Sequence, residues 1–299
     1  MELMTDDIAV DLKIKPESEW RNTMQSHENE LAKLLDPYLK KRSMHQKDPV
    51  LDFLFEYYAF RPSHLKRWSP GIGMALEISS TSDLPEVSEL TVLDNLAFLD
   101  PKHFPDKRLK SLRWTIELLK KSSGKKPLFG CFGMHEWAMV YRAGEVRHEQ
   151  IPLRLSDDEI AEFVESRPLL CTHFDAFRFF TEKAKPMNRN ELSREKFQEM
   201  EQPGCLHTNM DLYKWAYKFY PWISSEIVRK AFFNAVKTRK VDMQASPYDA
   251  REFGLEPIKI ETENGRKVYL EKQTEIFESS MPIREELFEA MEDLLVWVE

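Results

Sequence analysis

The sequence predicts a mainly α-helical protein with a small antiparallel β element, and two observations predict it. Apolar residues recur at helical spacing, with recognisable starts and stops, over most of the chain. Near the C-terminus the period switches: Ile258, Ile260, Val268 and Leu270 alternate around Asn264-Gly265, the strongest short hairpin signal.

The first 17 residues read as a polar arm and residues 18–299 as a single globular domain. Trp20, Met24, Leu31, Leu34, Leu35 and Tyr38 fall near one helical stripe, with Pro37 interrupting toward its end. Asp48-Pro49 supplies an N-cap and a first-turn proline for a buried helix over Val50–Phe60. Proline, serine and glycine between Arg61 and Asp83 mark an irregular connection with a short strand at Met74–Ile78. Helices follow over Asp83–Leu99 and Asp106–Lys121, the second stopped near Gly124. Pro127–Arg142 is aromatic and β-branched enough for a strand, entering a helix near Glu136. Ser156 and Glu159 form a capping box ahead of Ile160, Phe163 and Val164. Residues 190–201, 207–220 and 224–242 read as helices, and a last amphipathic helix runs from Pro282 to Val298.

With 299 residues, 42% of them hydrophobic, the chain can bury a large core. It has no apolar run near the roughly 20 residues of a membrane span, so no membrane partner is expected. The N-terminus, MELMTDDIAVDLKIK, lacks the basic and apolar blocks of a secretory signal, and three cysteines are too few for a disulfide framework. A cytoplasmic protein with reduced thiols is the expectation. A net charge of −8 argues against a general nucleic-acid coat, though not against a local basic groove. Gly71-Ile72-Gly73 lacks the third glycine of a dinucleotide fingerprint.

All three cysteines lie just ahead of a histidine: Cys131-x3-His135, Cys171-x-His173 and Cys205-x-His207. With eight histidines in the chain, unrelated placement gives this for all three at odds of about one in a thousand. An acid follows each histidine: Glu136, Asp175 and Asp211. Three readings fit. His135, His173 and His207 are candidate ligands of zinc or iron. Alternatively, one of them works without metal as an acid–base group oriented by Glu136, Asp175 or Asp211. In the third, the segments are simply buried, cysteine and histidine being common in cores. Trp137, Tyr213 and Trp215, with Arg178, offer rings and charge for a planar, cationic ligand. The loop Asp242–Asp249, with two acids, a serine and a tyrosine, is a candidate edge of the site, and Arg61, Lys66 and Arg67 are candidate contacts to phosphate.

The stretches GCFGMHEWAMVYR (130–142), CTHFDAFRFFT (171–181), EQPGCLHTNMDLYKWAYKFYPW (201–222), VDMQASPYD (241–249) and MPIREEL (281–287) resemble a little-characterised, mostly bacterial family commonly labelled 3-methyladenine DNA glycosylase. The resemblance covers roughly residues 48–296. It implies hydrolysis of the N-glycosidic bond of an alkylated purine, in DNA or a free nucleoside. Trp137, Tyr213 and Trp215 would then be pocket walls, and Asp175 or Asp211 the carboxylate that activates water or steadies an oxocarbenium-like sugar. Ser69–Gly73 looks like hairpin glycines, but the downstream aspartate of the helix-hairpin-helix glycosylases is not evident, so that architecture is not expected. Beside this N-glycosidic hydrolase stand two other expectations: a metal-dependent enzyme acting on a small molecule through the histidine–carboxylate set, and a protein that binds an aromatic ligand without turning it over.

Overall fold

The computed structural model describes residues 3–5, 8–10, 12–144 and 151–299, so the expected N-terminal arm falls partly outside the described residues. Helix accounts for 57% of the chain and strand for 7%, which places the protein in the mainly α class with a small β element. Two units are distinguishable. The first comprises Met1–Ile116, Tyr213–Phe232 and Glu285–Glu299, and the second Glu117–Leu212 and Phe233–Arg284.

The first unit holds the strands. Strands β1 (Leu3–Thr5) and β2 (Ile8–Val10) form an antiparallel pair. A separate sheet joins β3 (Lys13–Lys15), β4 (Met74–Glu77), β5 (Leu90–Leu93) and β6 (Leu96–Leu99) in the order β3-β4-β6-β5. It is mixed rather than antiparallel, because β3 runs parallel to β4. The strand expected at Met74–Ile78 is present, whereas the helix expected over Asp83–Leu99 is not. In its place Asp94, at a φ of +54°, turns β5 back onto β6, and the buried Leu96, Ala97, Phe98 and Leu99 gain sheet partners that a lone helical reading ignores. Helix α1 (Glu17–Ser43) buries Trp20, Leu31, Leu35 and Tyr38 of the expected stripe, whose Met24 and Leu34 are half-buried. Trp20 stacks on Trp68 at 6.3 Å and its indole N–H donates to the Glu77 carbonyl at 2.8 Å, anchoring α1 to the sheet. The Asp48 side chain accepts from the Leu51 N–H to cap α2 (Pro49–Asp52), which continues as a π-helical turn over Phe53–Tyr57. A further turn, α3, spans Pro62–Lys66.

The second unit is helical. It takes the end of α4 (Leu109–Ser123), then α5 (Met134–Val140), α6 (Asp157–Glu165), the turns α7 (Phe174–Phe177) and α8 (Phe197–Met200), and parts of α9 (Leu206–Lys218), α10 (Ser225–Ala245) and α11 (Glu263–Val298). The capping box of α6 is complete in both directions. Residues 190–201, expected to be helical throughout, are helical only over α8. The C-terminal hairpin is also corrected: Asn264-Gly265 lies in the first turn of α11, which runs unbroken through Pro282. The Thr262 hydroxyl accepts from the Gly265 N–H at 3.0 Å and so caps the helix. A Cβ on residue 265 would lie 1.8 Å from the Lys259 carbonyl oxygen, so glycine is needed for close backbone approach and not for a hairpin turn. Among the described residues no helix is long and apolar enough to cross a membrane.

The core of the second unit gathers Met134, Trp137, Ala138, Ile160, Val164, Leu169, Cys171, Leu206, Val241, Tyr269 and Ile276. All the cysteine–histidine segments border it.

Candidate metal centre

Each histidine is delivered by a locally constrained segment. Before α5, Phe132 and Gly133 both take positive φ, +47° and +72°. A Cβ on Gly133 would sit 3.2 Å from Ala245 Cβ and 3.3 Å from the Tyr269 ring, so the loop enters α5 tightly packed and aims His135 inward, 3% exposed. The segment Cys171–His173 is clamped by amides. Asn188 accepts from the Cys171 N–H at 2.8 Å, and the Asn188 and Asn190 side chains both donate to the Cys171 carbonyl, at 3.2 and 3.1 Å. His173 then stands immediately before α7. His207 and Asp211 sit four apart on α9 and so share one helical face.

These segments converge. The His207 ring lies 4.3 Å from His135, edge to face, and 5.2 Å from His173, stacked at 19°. Two donor sets result, each with its ligand atoms within 4.8 Å of one another: His135, His207 and Asp242, all buried, and His173, Asp175 and Asp211, of which only Asp175 is half-buried.

In the first set His135 Nε2 is 2.8 Å from Asp242 Oδ1, and its Nδ1 is 3.9 Å from the Cys131 sulfur. Burial alone would push the imidazole down, but the Asp242 charge and hydrogen bond outweigh it and raise His135 to about 10. Asp242 shows the mirror image: its burial penalty is exceeded by the charges of His135 and Arg239, which hold it below the ordinary carboxylate range. Arg239 donates from Nη1 to both Asp242 and, at 2.8 Å, Glu136. His207 is different. Burial, reinforced by the His135 charge, keeps it well below its ordinary value, so the ring is neutral with a lone pair available. Its ring nitrogens make no hydrogen bond among the described residues.

In the second set His173 Nδ1 is 2.5 Å from Glu201 Oε1, and the Thr208 hydroxyl donates to the other oxygen of Glu201. That leaves His173 Nε2 facing Asp211 Oδ2 at 3.9 Å. Asp175 is half-buried, and the Arg178 Nε lies 3.5 Å from its Oδ1.

The other candidates have separate places. Glu136 is engaged by Arg239. Trp137 is wholly buried, its indole N–H donating to the Ala245 carbonyl at 2.9 Å and its faces covered by Phe163 and Arg154, so it presents no open wall. Tyr213 and Trp215 belong to the first unit, packed against Phe60 and Trp114 respectively. There too Lys66 pairs with Asp36, and Arg67 with Glu86 at 3.4 Å. Of the candidate edge 242–249, Asp242 is a member of the centre, whereas Asp249 pairs with Arg251 on the surface. Glu201 and Arg239 were not legible from local pattern: neither sits at a recurring spacing from a histidine, and both act across long sequence separations.

No family model, no curated protein and no solved structure matches the chain.

Chemically, two imidazoles and a carboxylate in a tight buried group form the ligand set of a divalent transition metal, and three such ligands leave coordination positions for water or substrate. The thiols add nothing obvious: burial pushes Cys171 and Cys205 well up, away from the thiolate form that binds metal.

Proposed function

We propose that the protein is a metal-dependent hydrolytic enzyme whose ion, zinc or iron(II), is held by His135, His207 and Asp242. The observation that carries this reading is the convergence of these three side chains from three separate segments, with a neutral His207 held ready to donate. Charge balance supports it. Among the described residues the buried carboxylates of the second unit are Glu136, Glu201, Asp211 and Asp242, against two buried guanidiniums, Arg239 and Arg284. Four carboxylates against two guanidiniums and the charged His135 leave an excess of one negative charge, which a divalent cation that displaces the His135 proton neutralises; uncompensated buried charge is costly.

When bound, the ion would supply Lewis acidity to a water or a substrate oxygen. The chain's own residues have distinct tasks. Arg239 fixes Asp242 and thereby the orientation of its free lone pairs, Glu136 holds Arg239 in turn, and the His173–Glu201 pair forms a second proton-holding site one ring away from His207. Next to this group Asp175 is half-buried and Arg178 exposed, whereas His135, His207 and Asp242 are buried. For the substrate, the resemblance to the glycosylase-labelled family supports a purine N-glycoside, a bond whose hydrolysis needs an activated water and an acid for the departing base.

The test is metal analysis of the purified full-length protein by plasma mass spectrometry, beside an Asp242→Asn variant. Near-stoichiometric zinc or iron that is lost in the variant is expected. A metal-free native protein that also takes up neither ion after incubation overturns the reading. Free base released from modified purine nucleosides or alkylated DNA by loaded but not by stripped protein identifies the substrate class. Loaded protein inert on every glycoside removes that class.

A further inference from the structure

Resting on the metal reading above, we infer that the centre is built for two ions, the second held by His173, Asp175 and Asp211. These three donors lie within 4.8 Å of one another, as tightly grouped as the first set, yet share no residue with it. The separation of His173 Nε2 from Asp211 Oδ2, 3.9 Å, is too long for a hydrogen bond. It is within the about 4.2 Å that spans two ligands on opposite sides of an ion at about 2.1 Å.

The support behind the ligands is that of a metal site. His173 gives its Nδ1 to the buried carboxylate of Glu201, whose second oxygen is fixed by Thr208, so the ring is locked with Nε2 toward Asp211. A carboxylate that orients a histidine through its far nitrogen is the usual outer partner of a ligating imidazole. The His207 ring stands between the two sets, edge-on to His135 and stacked on His173, so the two ions would be separated by little more than one imidazole.

The donor chemistry differs between the two places. Two imidazoles and one carboxylate suit zinc or iron(II). One imidazole and two carboxylates form a harder set, with Asp175 half-buried at the solvent side, which favours manganese(II) or iron(II) over zinc. The two ions are therefore expected to differ in affinity and in preferred metal.

The experiment strips the full-length protein with a chelator, reloads it with Zn2+ or Mn2+, and measures bound equivalents after gel filtration, with Mn2+ affinity read by electron paramagnetic resonance. Two equivalents are expected in the native protein. Asp211→Asn should keep one. Asp175→Asn, at a half-buried position where folding is little disturbed, should weaken Mn2+ at one site by about tenfold or more and leave the other unchanged. Asp242→Asn should retain the site that these two variants damage. A single equivalent, lost in Asp242→Asn and untouched by Asp175→Asn, overturns the second ion while leaving the first; a single equivalent lost in both shows one shared site and overturns it equally. No bound metal under any loading condition overturns both readings. Circular dichroism of each variant separates loss of a ligand from loss of fold.

Discussion

At the scale of single residues, two buried histidines show how environment sets one side-chain type in different protonation states, and an ion held by both must displace the proton of His135. His135 has an aspartate against it and is driven toward the charged form, whereas His207 has none and is driven to the neutral one. His27, in the first unit, is a purely structural case. Its Nε2 meets the Leu65 carbonyl at 3.0 Å, its Nδ1 is buried without a partner among the described residues, and burial lowers it to about 4. Because the folded value lies below the unfolded one, near 6.5, the unfolded chain binds the extra proton first. The stabilising contribution is therefore complete above pH 6.5 and is lost as the pH falls toward 4. A His27→Gln variant should lose less stability than the native protein between pH 7 and pH 4, by about 3 kcal/mol, in urea unfolding at a series of pH values. Equal slopes for the two proteins would show that His27 does not titrate abnormally. At Asp242, replacement by Asn removes one proposed ligand and the carboxylate charge that faces both Arg239 and His135. The variant should lose its metal and about 3–5 kcal/mol of stability; retention of both on metal analysis and denaturant melts would contradict the role given to that carboxylate.

At the scale of elements, turn chemistry that looks alike in sequence separates only when the chain's long-range neighbours are known. Asn264-Gly265 and Asp94-Asn95 both carry turn residues between apolar ones. The second pair makes the hairpin, because β4 waits beside Leu96–Leu99 to extend the sheet. The first opens a 36-residue helix, because Thr262 caps it and Tyr269 and Ile276 fall on a buried face. A Gly265→Ala exchange should therefore be costly despite alanine's superior helix propensity. The new Cβ would strike the Lys259 carbonyl, and a loss of more than about 2 kcal/mol is expected in thermal or urea unfolding. A neutral or stabilising outcome, as helix propensity alone predicts, would show that this turn relaxes freely. The capping box at Ser156 and the N-cap at Asp48 needed no such context, since each is satisfied within four residues.

At the scale of the whole molecule, a bound ion and the fold are linked by mass action. Free ion at a hundredfold over its dissociation constant adds about 2.7 kcal/mol to the folded state. For a chain of this length that corresponds to a rise in thermal midpoint of about 5 °C between chelator-stripped and loaded protein, read by circular dichroism. No difference between the two samples would mean that the ion either does not bind or binds the unfolded chain equally. The net charge of −8 acts at this scale as well: it is a property of the whole surface, and it does not report the local excess of buried carboxylates in the second unit.

The sequence by itself determined the class of fold, the β4 strand, most of the α1 stripe and the caps of α2 and α6, and it singled out the three histidines, Asp175 and Asp211, which the fold divides between two neighbouring groups. These are set by short-range periodicity, by caps closed within one turn, and by pairing of rare residue types, all of which survive in a linear string. Only the tertiary structure decided that Trp137 is core, that Tyr213 and Trp215 belong to the other unit, and that the four-stranded sheet is mixed and built from 13–15 and 74–99 rather than 257–277. It also decided that the centre draws on Glu201, Arg239 and Asp242. His135 and Asp242 are 107 positions apart. Nothing local ties a carboxylate to an imidazole at that distance along the chain; the packing of α5 against α10 brings them together.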